Sequence, residues 1–123
     1  MKTLKVGIMP REYFQKRLID IASGRYVPKK NEPKIWFSSI KSLSEVLSEN
    51  NLRLLRIIDE KKPDSIKELA EITHRQPGNL SRTLKTMERY GIIEFQKQGK
   101  NSRPIAKAVG FNIEYNALNF LTA

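Results

Sequence analysis

Residues 65–103 read SIKELAEITHRQPGNLSRTLKTMERYGIIEFQKQGKNSR. Ser65 and Glu68 match a capping box, in which a serine and a glutamate three residues later satisfy free backbone amides at a helix start. Pro77 suits the first turn of a second helix, and Gly91 suits the residue after its end. The stretch therefore predicts two helices that are joined by a short turn.

Two strands are expected directly after the second helix. Ile92–Phe95 and Ile105–Val109 enclose the polar, basic residues 97–103, and this pattern predicts a β-hairpin with a basic turn. Before the capping box, residues 52–61 carry leucine and isoleucine at helical spacing, and Pro63 stops that helix. The predicted order is helix, helix, turn, helix, strand, turn, strand.

The second helix of the quoted stretch has two different faces. At about 100° per residue, Leu80, Leu84 and Met87 fall within about 60° of one another. Arg82 and Arg89 point the opposite way. We therefore expect one face to be buried in a core and the other to be polar and exposed.

The polar face carries groups that suit base edges and phosphates. Arginine can bridge O6 and N7 of guanine, and asparagine can bridge N6 and N7 of adenine. Base contacts are predicted for Asn79, Arg82 and Thr83, with Gln76 and Lys85 as further candidates. Contacts to the DNA backbone are predicted for Ser65, Arg75, Ser81, Thr86 and Arg89. The alternative is an ordinary solvated amphipathic helix.

The predicted hairpin turn offers similar side chains. Basic and hydrogen-bonding residues surround Gly99, and the set is Lys97, Lys100, Asn101, Ser102 and Arg103. A basic hairpin beside a DNA-reading helix can lie along the backbone or enter the minor groove. The alternative is a hairpin that is merely exposed to solvent.

Positive charge is concentrated in two parts of the chain. The net charge is +10 over 123 residues. Residues 1–38 hold nine Lys and Arg against three Asp and Glu, residues 39–64 hold five of each, and residues 65–103 hold eight against four. Such an excess favours a polyanionic partner, nucleic acid before an anionic membrane.

The N-terminal third predicts further short elements. Leu4–Ile8 alternates like a strand, a helix is expected over about Arg11–Ala22, and residues 25–34 have the composition of a linker. Ile35–Phe37 predicts a buried strand. Ser42–Glu45 matches another capping box and predicts a helix start, for which Ser39 is the alternative cap.

The stretch from Phe37 to about Tyr115 resembles winged-helix regulators of archaea and bacteria, broadly akin to the MarR-like and ArsR-like families. The residues that carry the resemblance include Asp64–Ala70, Arg75, Asn79–Leu80, Leu84–Lys85, Gly91–Glu94 and Arg103–Pro104. The resemblance implies a dimeric DNA-binding protein, and some relatives look like the DNA-binding member of a toxin–antitoxin pair.

The expected fold is mainly α with a small β-hairpin wing (α+β), a winged helix-turn-helix with an N-terminal strand-helix arm. We expect residues 1–34 to form the basic arm and residues 35–123 the DNA-binding domain. The chain departs from the resemblance at His74, where many helix-turn-helix turns prefer glycine. It also has no cysteine, which the metal-sensing branch uses.

Dimerisation would double the DNA site that one winged helix reads. The candidate surfaces are apolar residues near both ends of the chain, which could equally complete the core of the monomer. These residues are Leu4, Val6, Ile8, Phe14 and Leu18 near the start, and Phe111, Tyr115, Leu118, Phe120 and Leu121 near the end.

The sequence favours a transcriptional regulator, a repressor or autoregulator that binds double-stranded DNA as a homodimer. The alternatives are an antitoxin-like or adaptor protein whose arm binds a partner protein, and an RNA-binding winged helix. An enzyme is disfavoured because one His and no Cys leave no nucleophile–base set. No cofactor or metal is expected, and the lack of long apolar runs predicts no membrane contact and a cytoplasmic location.

Overall fold

The computed structural model describes residues 2–116, which form an α+β fold of short elements. Its helices are α1 (Arg11–Ala22), α2 (Ile40–Val46), α3 (Glu49–Lys61), α4 (Ile66–Thr73) and α5 (Pro77–Arg89). Its strands are β1 (Thr3–Ile8), β2 (Ile35–Phe37), β3 (Ile93–Gln98), β4 (Asn101–Ala106) and β5 (Gly110–Glu114). None of these helices is long and apolar enough to cross a membrane.

The described residues divide into two compact units. Unit 1 comprises residues 2–3 and 46–110, and unit 2 comprises residues 4–45 and 111–116. The division into an arm of residues 1–34 and a DNA-binding domain of residues 35–123 stays a prediction about function. The compact units are divided at other positions, because β1 and β5 belong to one sheet.

Local sequence sets the ends of the helices in unit 1. The hydroxyl of Ser48 accepts a hydrogen bond from the backbone amide of Asn51, and Ser65 accepts one from the amide of Glu68. Each bond satisfies one of the free amides at a helix start. The side chain of Glu68 accepts from the amide of Asp64, one residue earlier than the predicted capping box requires.

Apolar side chains from every element of unit 1 are buried together. Helices α3 and α4 bury Leu54, Leu55, Ile58, Leu69 and Ala70. Helix α5 buries Leu80, Leu84 and Met87. Ile92 and Ile93, where the chain enters the hairpin, are also buried. Burying a side chain of this size contributes about 1.5–3 kcal/mol, so this core orients α4, α5 and the hairpin.

The hairpin of unit 1 is longer and tighter than the sequence predicts. Strands β3 and β4 are antiparallel, and their register runs from Ile93 opposite Ala106 to Gln98 opposite Asn101. Only Gly99 and Lys100 form the turn. The predicted seven-residue turn over 97–103 is therefore wrong, because most of these polar residues pair across the strands.

The start of α2 also differs from its prediction. The helix begins at Ile40, and the amide of Ser42 donates to the hydroxyl of Ser39 at 3.1 Å. The amide of Ser39 donates in return to the hydroxyl of Ser42 at 3.3 Å. Ser39 is the cap, and Ser42 lies inside the first turn. The predicted capping box at Ser42–Glu45 is therefore wrong.

Unit 2 contains a three-stranded sheet in the order β2-β1-β5. Strands β1 and β2 are parallel, and Val6 stands opposite Ile35 and Ile8 opposite Phe37. These four side chains are at most 4% exposed. Val6 and Ile8 therefore belong to the core, although the sequence left them as candidates for a dimer surface.

The backbone of unit 2 approaches a large side chain at Gly7. Gly7 stands opposite Trp36 in the parallel pair. A Cβ atom at this position would lie 2.7 Å from Cε3 of Trp36 and 2.9 Å from Cγ of Pro33. Glycine is therefore favoured here for space, since an added Cβ would force the ring of Trp36 or Pro33 to shift.

We expect Gly7→Ala to lower the free energy of unfolding by about 1–3 kcal/mol, the cost of overpacking a buried site. Urea denaturation followed by circular dichroism measures this change. The control is Gly78→Ala, where the added Cβ would lie 3.1 Å from Oε1 of Gln76, farther than from either ring at Gly7. Equal stability of Gly7→Ala and the wild type would contradict the close approach.

Candidate nucleic-acid interface

Helix α5 separates apolar from polar residues as its periodicity predicts. Leu80, Leu84 and Met87 are at most 1% exposed. Arg82 and Arg89, on the opposite face, are exposed. The helix is thus held by one side and presents the other to solvent.

A chain of hydrogen bonds runs along the exposed face of α5. Nη2 of Arg82 donates to Oδ1 of Asn79 at 2.8 Å. The hydroxyl of Thr86 donates to the backbone carbonyl of Arg82 at 3.1 Å and accepts from Nη2 of Arg89 at 3.2 Å. The hydroxyl of Thr83 donates to the carbonyl of Asn79. The structure therefore brings five of the predicted contact residues on this helix into one ordered row, namely Asn79, Arg82, Thr83, Thr86 and Arg89.

Gln76 has a structural role that the sequence analysis missed. It is the N-cap residue of α5, and its Oε1 accepts from the backbone amide of Asn79 at 2.6 Å. The sequence contains a signal for this cap, because Pro77 suits the first turn of the helix and Gln76 directly precedes it. Gln76 keeps its side-chain NH₂ group for other contacts.

Two predicted backbone-contact residues also support the fold of unit 1. Arg75 is half-buried, and its Nη2 donates to the backbone carbonyl of Asn50 at 2.9 Å. This bond ties the turn after α4 to the first turn of α3. Ser65 is half-buried as the cap of α4. Their proposed phosphate contacts remain predictions.

Ser81 lies apart from the row on α5, and Lys85 lies at the edge of the row. Ser81 is half-buried, and at about 100° per residue it stands closer to Leu84 than to Asn79 around the helix. Lys85 is exposed and lies between the row and Ser81. The structure thus does not bring Ser81 together with the other predicted contact residues.

The hairpin presents its predicted residues on strands and at the turn. Lys97 stands opposite Ser102. Lys100 lies in the turn, and Asn101 follows it as the first residue of β4. All four are exposed. Arg103 is half-buried, and its Nε is buried without a hydrogen-bond partner. The hairpin therefore exposes amines, an amide and a hydroxyl near its tip.

Charge in the described residues is arranged unevenly. The ion pairs found among residues 2–116 join Lys5 to Glu114, Arg17 to Glu32, Arg25 to Asp20, Arg53 to Glu49 and Arg56 to Glu60. In the last pair, the hydrogen bond and the charge of Glu60 raise the pKa of Arg56 above its ordinary value. None of these pairs includes a residue of α5 or of the hairpin.

The turn between α4 and α5 contains a residue in the left-handed conformation. His74 has a φ of 56° and a ψ of 33°, and its backbone amide donates to the carbonyl of Ala70. This is the conformation that usually selects glycine at the end of a helix. Histidine therefore fits the turn at a cost in free energy.

Unit 2 contains a charged cavity that no motif in the sequence indicated. The cavity has a volume of about 230 Å³. The guanidinium of Arg17 lies 5.0 Å from the ring centre of Tyr26 and 5.2 Å from that of Trp36, and its Nη2 donates to Glu32 at 2.6 Å. Lys5 donates to a backbone carbonyl of the loop. These contacts hold residues 25–34 against the helix and the sheet of this unit.

The apolar residues of helix α1 do not form a fully buried stripe. No residue of α1 is fully buried. Phe14 and Ile21 are half-buried, and Leu18 is 49% exposed. Tyr115, a candidate dimer residue near the end of the chain, is 54% exposed. The other candidates Leu118, Phe120 and Leu121 lie outside the described residues.

The fold and the site define a small basic α+β protein in which one helix and one hairpin present basic side chains that form none of these ion pairs. The chain belongs to the HVO_A0114 family, whose model matches residues 46–113. No curated protein matches the chain. A solved structure described as a predicted DNA-binding transcriptional regulator from E. coli is 17% identical, with a TM-score of 0.48, and the match covers 75% of this chain and 83% of that one.

We expect His74→Gly to raise the free energy of unfolding by roughly 0.5–1 kcal/mol, because glycine adopts positive φ without a steric penalty. Thermal and urea unfolding measure the gain. His74→Ala is the control and should bring no gain, since alanine keeps the Cβ that opposes this conformation. A gain of the same size in both variants would contradict the turn geometry.

We expect Arg17→Ala to free the loop over residues 25–34. The loss of a largely buried, charge-assisted hydrogen bond costs about 1.5–3 kcal/mol. Hydrogen exchange at the amides of Tyr26, Glu32 and Lys34 should accelerate about tenfold or more, because each is bonded to a backbone carbonyl in the closed loop.

The control for the loop experiment is Arg25→Ala. Arg25 also pairs with a carboxylate, at 3.2 Å, but its side chain is 64% exposed. Exposed pairs contribute little to stability, so exchange in the loop should stay near the wild-type rate. Unchanged exchange in Arg17→Ala would contradict the role given to that residue.

Proposed function

We propose that the protein is a transcriptional regulator that binds double-stranded DNA in a sequence-specific manner as a homodimer and has no enzymatic activity. In this proposal residues 46–110 form a winged helix-turn-helix, similar to those of the MarR-like and ArsR-like families. Helices α4 and α5 are the helix-turn-helix, and the β3–β4 hairpin is the wing. The protein acts in the cytoplasm, on promoter DNA.

The observation that carries the proposal is the exposed row on α5, whose arginines have no carboxylate partner among the described residues. Arg82 and Arg89 are ordered by a neutral amide and a neutral hydroxyl. A fixed guanidinium with unused donors suits bidentate contacts to guanine or phosphate. The buried face of α5 holds this row on a rigid element.

The hairpin supports the same proposal. Lys97 and Lys100 are exposed near its tip, with Asn101 and Ser102 beside them. Groups of this kind bind the sugar-phosphate backbone or the minor groove. A wing of this kind adds affinity and fixes orientation, while α5 supplies the contacts that distinguish sequences.

The test is selection of bound duplexes from a random library, followed by anisotropy titrations across a salt series. We expect a palindromic motif, two chains bound per duplex, and a log–log salt slope of about −0.9 for each phosphate neutralised. Arg82→Ala should cost about 1–3 kcal/mol of discrimination at one position in each half-site.

Arg56→Ala is the matched control for the loss of one positive charge. Arg56 is exposed on α3 and is paired with Glu60 at 2.9 Å. We expect this variant to select the same motif as the wild type. Equal binding of RNA and of random duplexes by the wild type would refute sequence-specific DNA binding, and one chain per palindrome would refute the dimer.

A further inference from the structure

The side chain of Arg82 is held by a single neutral partner. Nη2 of Arg82 donates to Oδ1 of Asn79 at 2.8 Å, one helical turn earlier. Arg82 is exposed and has no carboxylate within ion-pair distance among residues 2–116. Its remaining N–H groups are therefore free to bind another molecule, and the guanidinium is already oriented.

Asn79 is itself fixed by the helix start. It lies in the first turn of α5, and its backbone amide donates to Oε1 of Gln76 at 2.6 Å. Its backbone carbonyl accepts from the hydroxyl of Thr83. The amide side chain that holds Arg82 thus projects from a well-ordered turn, at the end of the helix that enters a major groove first.

On the basis of the proposed function, we infer that Asn79 is a positioning residue for Arg82 and that the two side chains together read one guanine. Arg82 supplies two donors to O6 and N7 of the base. Asn79 orients the guanidinium before DNA arrives, and its NH₂ group remains available to a neighbouring acceptor. In this assignment Asn79 acts through Arg82, whereas the sequence predicts a base contact for each of the two residues.

The competing assignment is that Asn79 reads an adenine through its own amide. That contact needs Oδ1 to accept from N6 and Nδ2 to donate to N7. In this structure one of the two lone pairs of Oδ1 already accepts from a charged donor, so only the other is left for the N6 amine. The geometry therefore favours a donor role for Asn79 at the DNA and an acceptor role toward Arg82.

Positioning has a clear energetic reason. A free arginine side chain has about 2 kcal/mol of rotamer entropy, part of which is lost when the side chain is fixed on a base. The hydrogen bond to Asn79 removes part of this loss before binding. Its neutral oxygen does so without cancelling the positive charge that attracts the DNA.

The experiment is a double-mutant cycle on duplexes that carry the selected guanine or one of the other three bases at that position. Arg82→Ala should lower discrimination for guanine by about 5- to 150-fold. Asn79→Ala should lower it by roughly 3- to 10-fold, the share that preorganisation supplies. In the Arg82→Ala background, Asn79→Ala should have no further effect on guanine discrimination.

Asn79→Asp provides the conservative rescue. It keeps an acceptor for Arg82 but loses the NH₂ group, so discrimination for guanine should return to within about twofold of wild type while overall affinity falls. Aspartate in the first turn also suits the helix dipole, so the variant should fold. An adenine-reading Asn79 would instead lose its preference in this variant.

Thr86→Val is the matched control on the same helix. The hydroxyl of Thr86 holds Arg89 as Asn79 holds Arg82, but near the C-terminal end of α5. Because that end lies farther from the bases in the proposed docking, we expect lower affinity for all duplexes and unchanged base preference. Circular dichroism and thermal unfolding should show that every variant is folded.

The outcomes separate the inference from the proposed function. Additive effects of the two alanine variants, or loss of an adenine preference in Asn79→Ala, would overturn the inference and leave sequence-specific DNA binding intact. Failure of the wild type to select any duplex would overturn the proposed function itself. A non-additive cycle with rescue by Asn79→Asp supports the inference.

Discussion

The burial of one face of α5 determines what the rest of unit 1 can present to solvent. Leu80, Leu84 and Met87 are at most 1% exposed, and each contributes about 1.5–3 kcal/mol when buried. A slip of one residue would rotate the helix by about 100° and expose this face. The same burial that stabilises the unit therefore fixes the outward direction of Asn79 and Arg82.

Local patterns were enough to predict the helices of unit 1. Periodicity identified both faces of α5, because a helix repeats within a few residues and its buried positions follow that repeat. The cap at Ser65 and the glycine after α5 were likewise readable, since each acts on its own helix end. Gly91 indeed has a φ of 81°. The winged-helix assignment and the contact residues remain predictions.

Choices between equivalent residues could not be made from the pattern. Ser39 and Ser42 each have a candidate partner three residues later, and only the path of the chain from β2 shows that Ser39 is the cap. The hairpin posed a similar problem, because polar residues suit a turn and an exposed strand equally well. The contacts in unit 2 are harder still to predict from the sequence. Arg17 lies beside Tyr26 and Trp36 only because of the path that the loop over residues 25–34 takes in the folded unit.

The two arginines on α5 illustrate why neutral partners suit a surface that is proposed to bind DNA. A carboxylate at position 79 or 86 would bind a guanidinium more strongly than an amide or a hydroxyl does. It would also cancel the charge, as in the pair between Arg56 and Glu60. An amide or hydroxyl orders the side chain and leaves the field intact. The resulting repulsion between cations lowers stability, and the apolar core beneath α5 offsets it.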